Sequence, residues 1–160
     1  VPNIQTPSFF PILSLLPQRA LVYIKEAHPQ TFIPVFMDIF HAMWENGKDV
    51  SKPEVLAEVL SGHFTDEQVK QVMDEANSAP YKQRLNDNTK EALDRGAFGC
   101  PWFSVRNSKG DEEPFFGSDR YVPFRISSST PAITRMASLL QMAGVAGRSA
   151  FSLVAVAGDG

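Results

Sequence analysis

From Pro17 to Gly96 the apolar residues return at three- and four-residue spacings, in blocks separated by glycines and capping residues. Pro17 suits the first turn of a helix that continues through "QRALVYIKEAH". The strongest helical signal is "TFIPVFMDIFHAMWENG". There Phe32, Phe36, Ile39, Phe40, Met43 and Trp44 form one broad apolar face, and Gly47 is a natural stop. Ser51-Lys52-Pro53-Glu54 has the form of a capping box with proline in the first turn. It predicts a short helix bearing Val55, Leu56, Val59 and Leu60, ended by Gly62. Thr65-Asp66-Glu67-Gln68 repeats the device ahead of Val69, Val72, Met73 and Ala76. "APYKQRLNDNTKEALDRG" predicts a longer, more polar helix, with Tyr81, Leu85, Ala92 and Leu93 inward and Gly96 at its end.

After Gly96 the pattern changes. "PWFSVRN" is aromatic and β-branched and predicts a strand. "SKGDEE" reads as a polar turn, and "PFFG" returns as a second strand to close a hairpin. Ser118 or Asp119 could then cap a further helix. A lone hairpin is marginal in water. The other strand candidate is "NIQTPSFF", within an opening segment punctuated by Pro2, Pro7, Pro11 and Pro17. The tail from Tyr121 is rich in Ala, Gly and Ser, and Pro123 falls where a helix after "SDR" should run. Thr130-Pro131 could start a short helix through Met136 and Leu140, with residues 144–160 a strand or without fixed structure. The fold class is therefore α+β.

Composition narrows the function classes. A chain of 160 residues with 43% hydrophobic and 21% charged residues suits one soluble domain, and 12 phenylalanines supply a core. A net charge of −3, with no basic block, argues against nucleic acid as the main partner. No apolar run reaches the roughly 18 residues of a membrane span. The single cysteine, Cys100, excludes an internal disulfide and fits a reducing compartment. The opening "VPNIQTPSFFPILSLLP" lacks a basic n-region and does not read as a signal peptide.

Few residues are placed for chemistry. His28, His41 and His63 have no metal-ligand spacing, and each reads as a surface or helix-end histidine. No nucleophile elbow, zinc-protease or phosphate-loop motif is present. Glu112-Glu113 reads as part of a solvated turn. Two places remain. At Gly99-Cys100-Pro101, a proline at a strand start suits a cis bond whose flanking backbone could pair with an extended ligand. An ordinary trans proline is the commoner alternative. At Phe116-Gly117-Ser118-Asp119-Arg120, helix capping is the default. The functional alternative is a hold on an amino-acid-like end group, with backbone N–H groups on its carboxylate and Asp119 on its ammonium.

In order, the helical block, "GAFGCP", the hairpin and "FFGSDR" resemble the kappa-class glutathione transferases and the related 2-hydroxychromene-2-carboxylate isomerases, fungal members most. The likeness runs from about Ile4 to Arg120. It implies a partial thioredoxin-like (DsbA-like) domain over residues 1–120, with a helical insertion at about 17–95 and a cis-proline hairpin at 98–117, followed by a divergent tail at 121–160. It implies glutathione as co-substrate, held by the backbone of Cys100 beside a cis Pro101 and by Ser118 and Asp119 at the γ-glutamyl end. The second substrate is then a small electrophilic or aromatic compound, with no metal. Homodimerisation is open, and the compartment is mitochondrial or peroxisomal, with the cytoplasm as alternative.

The resemblance also marks departures. The family's thiol-activating serine lies on a first strand-to-helix turn with no counterpart here, and neither Ser8 nor Ser14 matches its context. No catalytic residue is assigned. The expectation is a chain lacking the family's N-terminal part, with a changed reading frame or retained intron after about Arg120, and marginal in stability. The alternative to an enzyme is a non-catalytic remnant or interaction module. A thiol–disulfide oxidoreductase would need a C-x-x-C that this chain lacks.

Overall fold

A computed structural model describes residues 4–106 and 112–117. The expected turn tip at 107–111, the cap at Ser118 or Asp119 and the tail 121–160 lie outside the described residues. The elements are α1 (Leu15–Ala27), α2 (Pro29–Trp44), α3 (Pro53–Ser61), α4 (Asp66–Asn77), α5 (Ala79–Asp94), β1 (Trp102–Arg106) and β2 (Glu112–Phe116). Among the described residues, five helices and one antiparallel hairpin give the expected α+β composition. The chain divides into two compact units after Asp87, and α5 runs through the division.

The first unit is a ring of helices. α1 packs on α2 and α4, and α3 closes the ring between them. Each helix buries one stripe: Ala20, Leu21 and Ile24 from α1, Val35, Phe36, Ile39 and Met43 from α2, Leu56 and Leu60 from α3, Val72 and Ala76 from α4, while the expected Val55, Val59, Val69 and Met73 are half-buried at the stripe edges. Phe32 and Phe40 are half-buried rather than core, because the helix turns Val35 and Ala42 inward instead. α2 begins at Pro29, two residues before the predicted start, since a proline at the first helical position needs no N–H partner. Past its end, Gly47 takes a positive φ of 62° and lets the Lys48 N–H reach the Ala42 carbonyl at 2.8 Å.

The two capping boxes part ways. At Thr65 the box forms: its hydroxyl accepts from the Gln68 N–H, and the Gln68 side chain accepts from the Thr65 N–H at 3.0 Å. At Ser51 it does not form. The cap position of α3 falls on Lys52, and Asp49 captures Ser51 through its backbone N–H at 3.1 Å and its hydroxyl. The N-terminal strand is also absent from the described residues. Pro7 to Phe10 make a turn closed by a 3.0 Å backbone bond, and the Gln5 N–H donates to the Trp44 carbonyl at 3.1 Å.

The second unit starts in the last turns of α5. There Gly96, at φ 87°, closes a Schellman motif: the Ala97 N–H reaches the Ala92 carbonyl and the Gly96 N–H the Leu93 carbonyl, both at 2.9 Å. Ala92 is buried as expected, but Leu93 is 62% exposed. One position separates the two, so a narrow stripe admits the first and turns the second outward. The hairpin pairs Trp102 with Phe116, Ser104 with Pro114 and Arg106 with Glu112. Glu112 and Glu113 thus belong to β2 and not to the turn. Glutamate is a poor strand former; here the Arg95 guanidinium compensates at Glu112 with a 2.8 Å bond.

Candidate functional site

The candidate residues of the second unit lie on a connector from Arg95 to Pro101 and on the strand that returns beside it. The Cys100–Pro101 peptide is cis, and Cys100 is half-buried. The Pro101 carbonyl accepts the Gly117 N–H at 2.9 Å, one step beyond the Trp102–Phe116 pair. The hairpin register therefore brings Gly117, the residue ahead of Ser118, directly against Pro101. The two motifs read separately from the sequence meet at one end of the hairpin. Ser118 and Asp119 themselves lie outside the described residues. Gly117 has a φ of 92°, a conformation that favours glycine and turns the chain out of β2 at that point.

An aromatic pair lines the connector. Phe98 is 76% exposed and Phe116 41% exposed, and their rings lie 4.5 Å apart at a tilt of 39°. Gly99 makes the approach feasible: a Cβ there would meet the Phe116 ring at 2.9 Å. This is a steric need, since the backbone of Gly99 is not left-handed.

Arg95 is the charged counterpart. Its Nη1 donates to Glu112 Oε1 at 2.8 Å and lies 3.4 Å from the buried Ser104 hydroxyl. Its Nη2 donates to Glu91 Oε1 at 2.7 Å. Hydrogen bonds to Glu112, then to Glu91, hold the guanidinium pKa above its ordinary value. The sequence shows half of this arrangement, because Glu91 and Arg95 stand four apart on a helix. The partner across the hairpin loop carries no local signal.

The histidines are engaged elsewhere. His63 Nε2 lies 2.7 Å from Asp38 Oδ2, His41 Nδ1 lies 3.1 Å from Glu45, and His28 packs against Tyr23 and Phe64. Among the described residues no three His, Cys, Asp or Glu side chains gather into a metal-sized cluster, and no helix is long and apolar enough to cross a membrane.

Residues 6–125 match the family model of the DSBA-like thioredoxin domain, most of the chain. The chain belongs to this family. Its relatives include glutathione S-transferase kappa 2 of Caenorhabditis elegans, 33% identical over 109 residues, or 67% of this chain and 48% of that protein. Glutathione S-transferase kappa 1 of the same animal is 24% identical over 103 residues, covering 64% of this chain and 45% of the relative. The chain is thus homologous to kappa-class glutathione S-transferases and spans about half the length of the relatives it matches. Within the DSBA-like domain, the matched region takes in the helical unit, the connector and the whole hairpin.

Proposed function

We propose that this chain binds glutathione at the open end of its hairpin and serves a glutathione-dependent transferase reaction of the kappa type. Cys100 contributes its backbone beside Pro101, pairing with the extended tripeptide. Ser118 and Asp119 take the γ-glutamyl end, which carries both a carboxylate and an ammonium. The glutathione thiol loses a proton to solvent, and its thiolate attacks an electrophilic carbon. With an aryl chloride, the new carbon–sulfur bond replaces the carbon–chlorine bond and chloride leaves. The Cys100 sulfur is not a nucleophile in this scheme, and no residue is assigned the thiol-activating role. An isomerase of the same class would add the thiolate reversibly to a conjugated double bond, let that bond rotate while it is single, and expel the thiolate as the double bond re-forms. On family likeness we place the protein in mitochondria or peroxisomes, with the cytoplasm as the alternative, and leave homodimerisation open.

One observation carries the reading: the 2.9 Å bond from the Gly117 N–H to the Pro101 carbonyl, which joins the two motifs in a homologue of glutathione transferases. Two assays test it. Glutathione should bind at millimolar concentration or below, and 1-chloro-2,4-dinitrobenzene should be conjugated above background. Binding without conjugation would favour a second reading, a non-catalytic module that works with another chain. That reading draws on the exposed Leu13, Leu93, Phe98 and Phe116. Absence of binding would refute the transferase reading.

A further inference from the structure

Cys100 sits on a connector with two glycines, Gly96 and Gly99, and glycine gives a backbone more freedom than any other residue. The connector is strapped along one face of the hairpin at two points. On β2, Glu112 and Phe116 stand four residues apart, so they share a face and mark its two ends. Arg95 grips the Glu112 end, with bonds of 2.8 Å to Glu112 and 2.7 Å back to Glu91 on the helix. Phe98 grips the other end through its ring contact with Phe116. The Arg95 side chain is 28% exposed, and its planar fork offers one nitrogen to the helix and another to the strand, a fixed geometry that a rotating ammonium matches less well.

We infer that Arg95 is a positioning residue for glutathione: its bridge from Glu91 to Glu112 pre-orders the connector that presents the Cys100 backbone. This rests on the glutathione-binding reading above. Without the bridge, the connector remains folded against Phe116 but samples more conformations, and binding must then supply the ordering. The effect belongs on ligand affinity, whereas an ion pair of this exposure adds little to global stability.

The test is titration of the full chain with glutathione by calorimetry, alongside thermal unfolding. Arg95→Ala should weaken binding by about fivefold, the scale of one ordered side chain, while the melting of the helices stays within a degree or two of the parent. Arg95→Lys should recover only part of the loss. Glu112→Gln, which keeps the hairpin and removes only a charge, should weaken binding less than Arg95→Ala. The double variant should bind no worse than Arg95→Ala alone, because both changes break one bridge. Parental affinity in Arg95→Ala and Glu112→Gln would overturn the inference while leaving the functional reading intact. If Arg95→Ala fails to fold, parental affinity in Glu112→Gln alone overturns it. If the parent chain does not bind glutathione, the functional reading falls and this inference with it.

Discussion

The helical unit and the hairpin unit are held together by different physics. In the helices, Ile24, Phe36, Ile39, Met43, Leu56 and Leu60 are fully buried, and apolar burial dominates. In the hairpin unit Trp102 and Phe103 are also buried, but Phe98 is 76% and Phe116 41% exposed, and a guanidinium ties helix to strand. Dense packing resists change, whereas a surface strap tunes geometry at small cost in stability. The expected division of labour follows: the helices provide stability, and the connector provides the ligand-facing backbone.

Substitutions can break that division, and the largest effect belongs in the helices. Phe36→Ala removes a fully buried ring and should cost about 3–5 kcal/mol. Urea unfolding followed by helical circular dichroism would measure it. A loss under about 1 kcal/mol would mean that the ring of helices is not the stabilising core. Next comes Gly99→Ala, whose new Cβ would meet the Phe116 ring at 2.9 Å. Because Phe116 is 41% exposed and its ring can give way, the cost should be about 1 kcal/mol, the low end for overpacking. The effect should appear as faster amide exchange in β1 and β2, with the helices unchanged.

Thr65→Ala tests a local feature of the helical unit. Loss of its capping box should cost about 1 kcal/mol. Ser51→Ala should not show a helix-capping loss of that kind, since its hydroxyl serves Asp49 and not α3. Chemical denaturation of both variants would check the contrast. The smallest effect concerns alkaline pH. Burial, then the Glu26 carboxylate, raises the Tyr81 pKa above its ordinary 10.0. Its contribution to stability is full below pH 10.0 and is lost as pH rises through the folded value. Tyr81→Phe should therefore flatten part of the alkaline decline in stability, and an unchanged slope would count against a raised Tyr81 pKa from burial and Glu26.

Much of the helical unit is legible in the sequence, because its signals are local. The stripe Phe36, Ile39, Met43 and the Thr65–Gln68 box need only neighbours on one helix to take effect. The misses have causes outside the simple pattern, one of them a local competitor and one a distant partner. Asp49 competes for Ser51, Leu93 lies just off the buried stripe, and Glu112 extends β2 because Arg95 meets it across the loop. For the candidate site, "GAFGCP" and "FFGSDR" identify two motifs, but only pairing brings Pro101 and Gly117 together. Arg95 and Phe98 read as an ordinary helix end and a loop residue, since their partners are distant in sequence.

Hydrogen exchange of the full chain with and without glutathione bears most directly on the claim that the hairpin end is the ligand site. Protection should concentrate in the connector and at Gly117, with residues 29–77 of the helical unit unchanged. Exchange unaffected by millimolar glutathione, or protection confined to the helices, would contradict it.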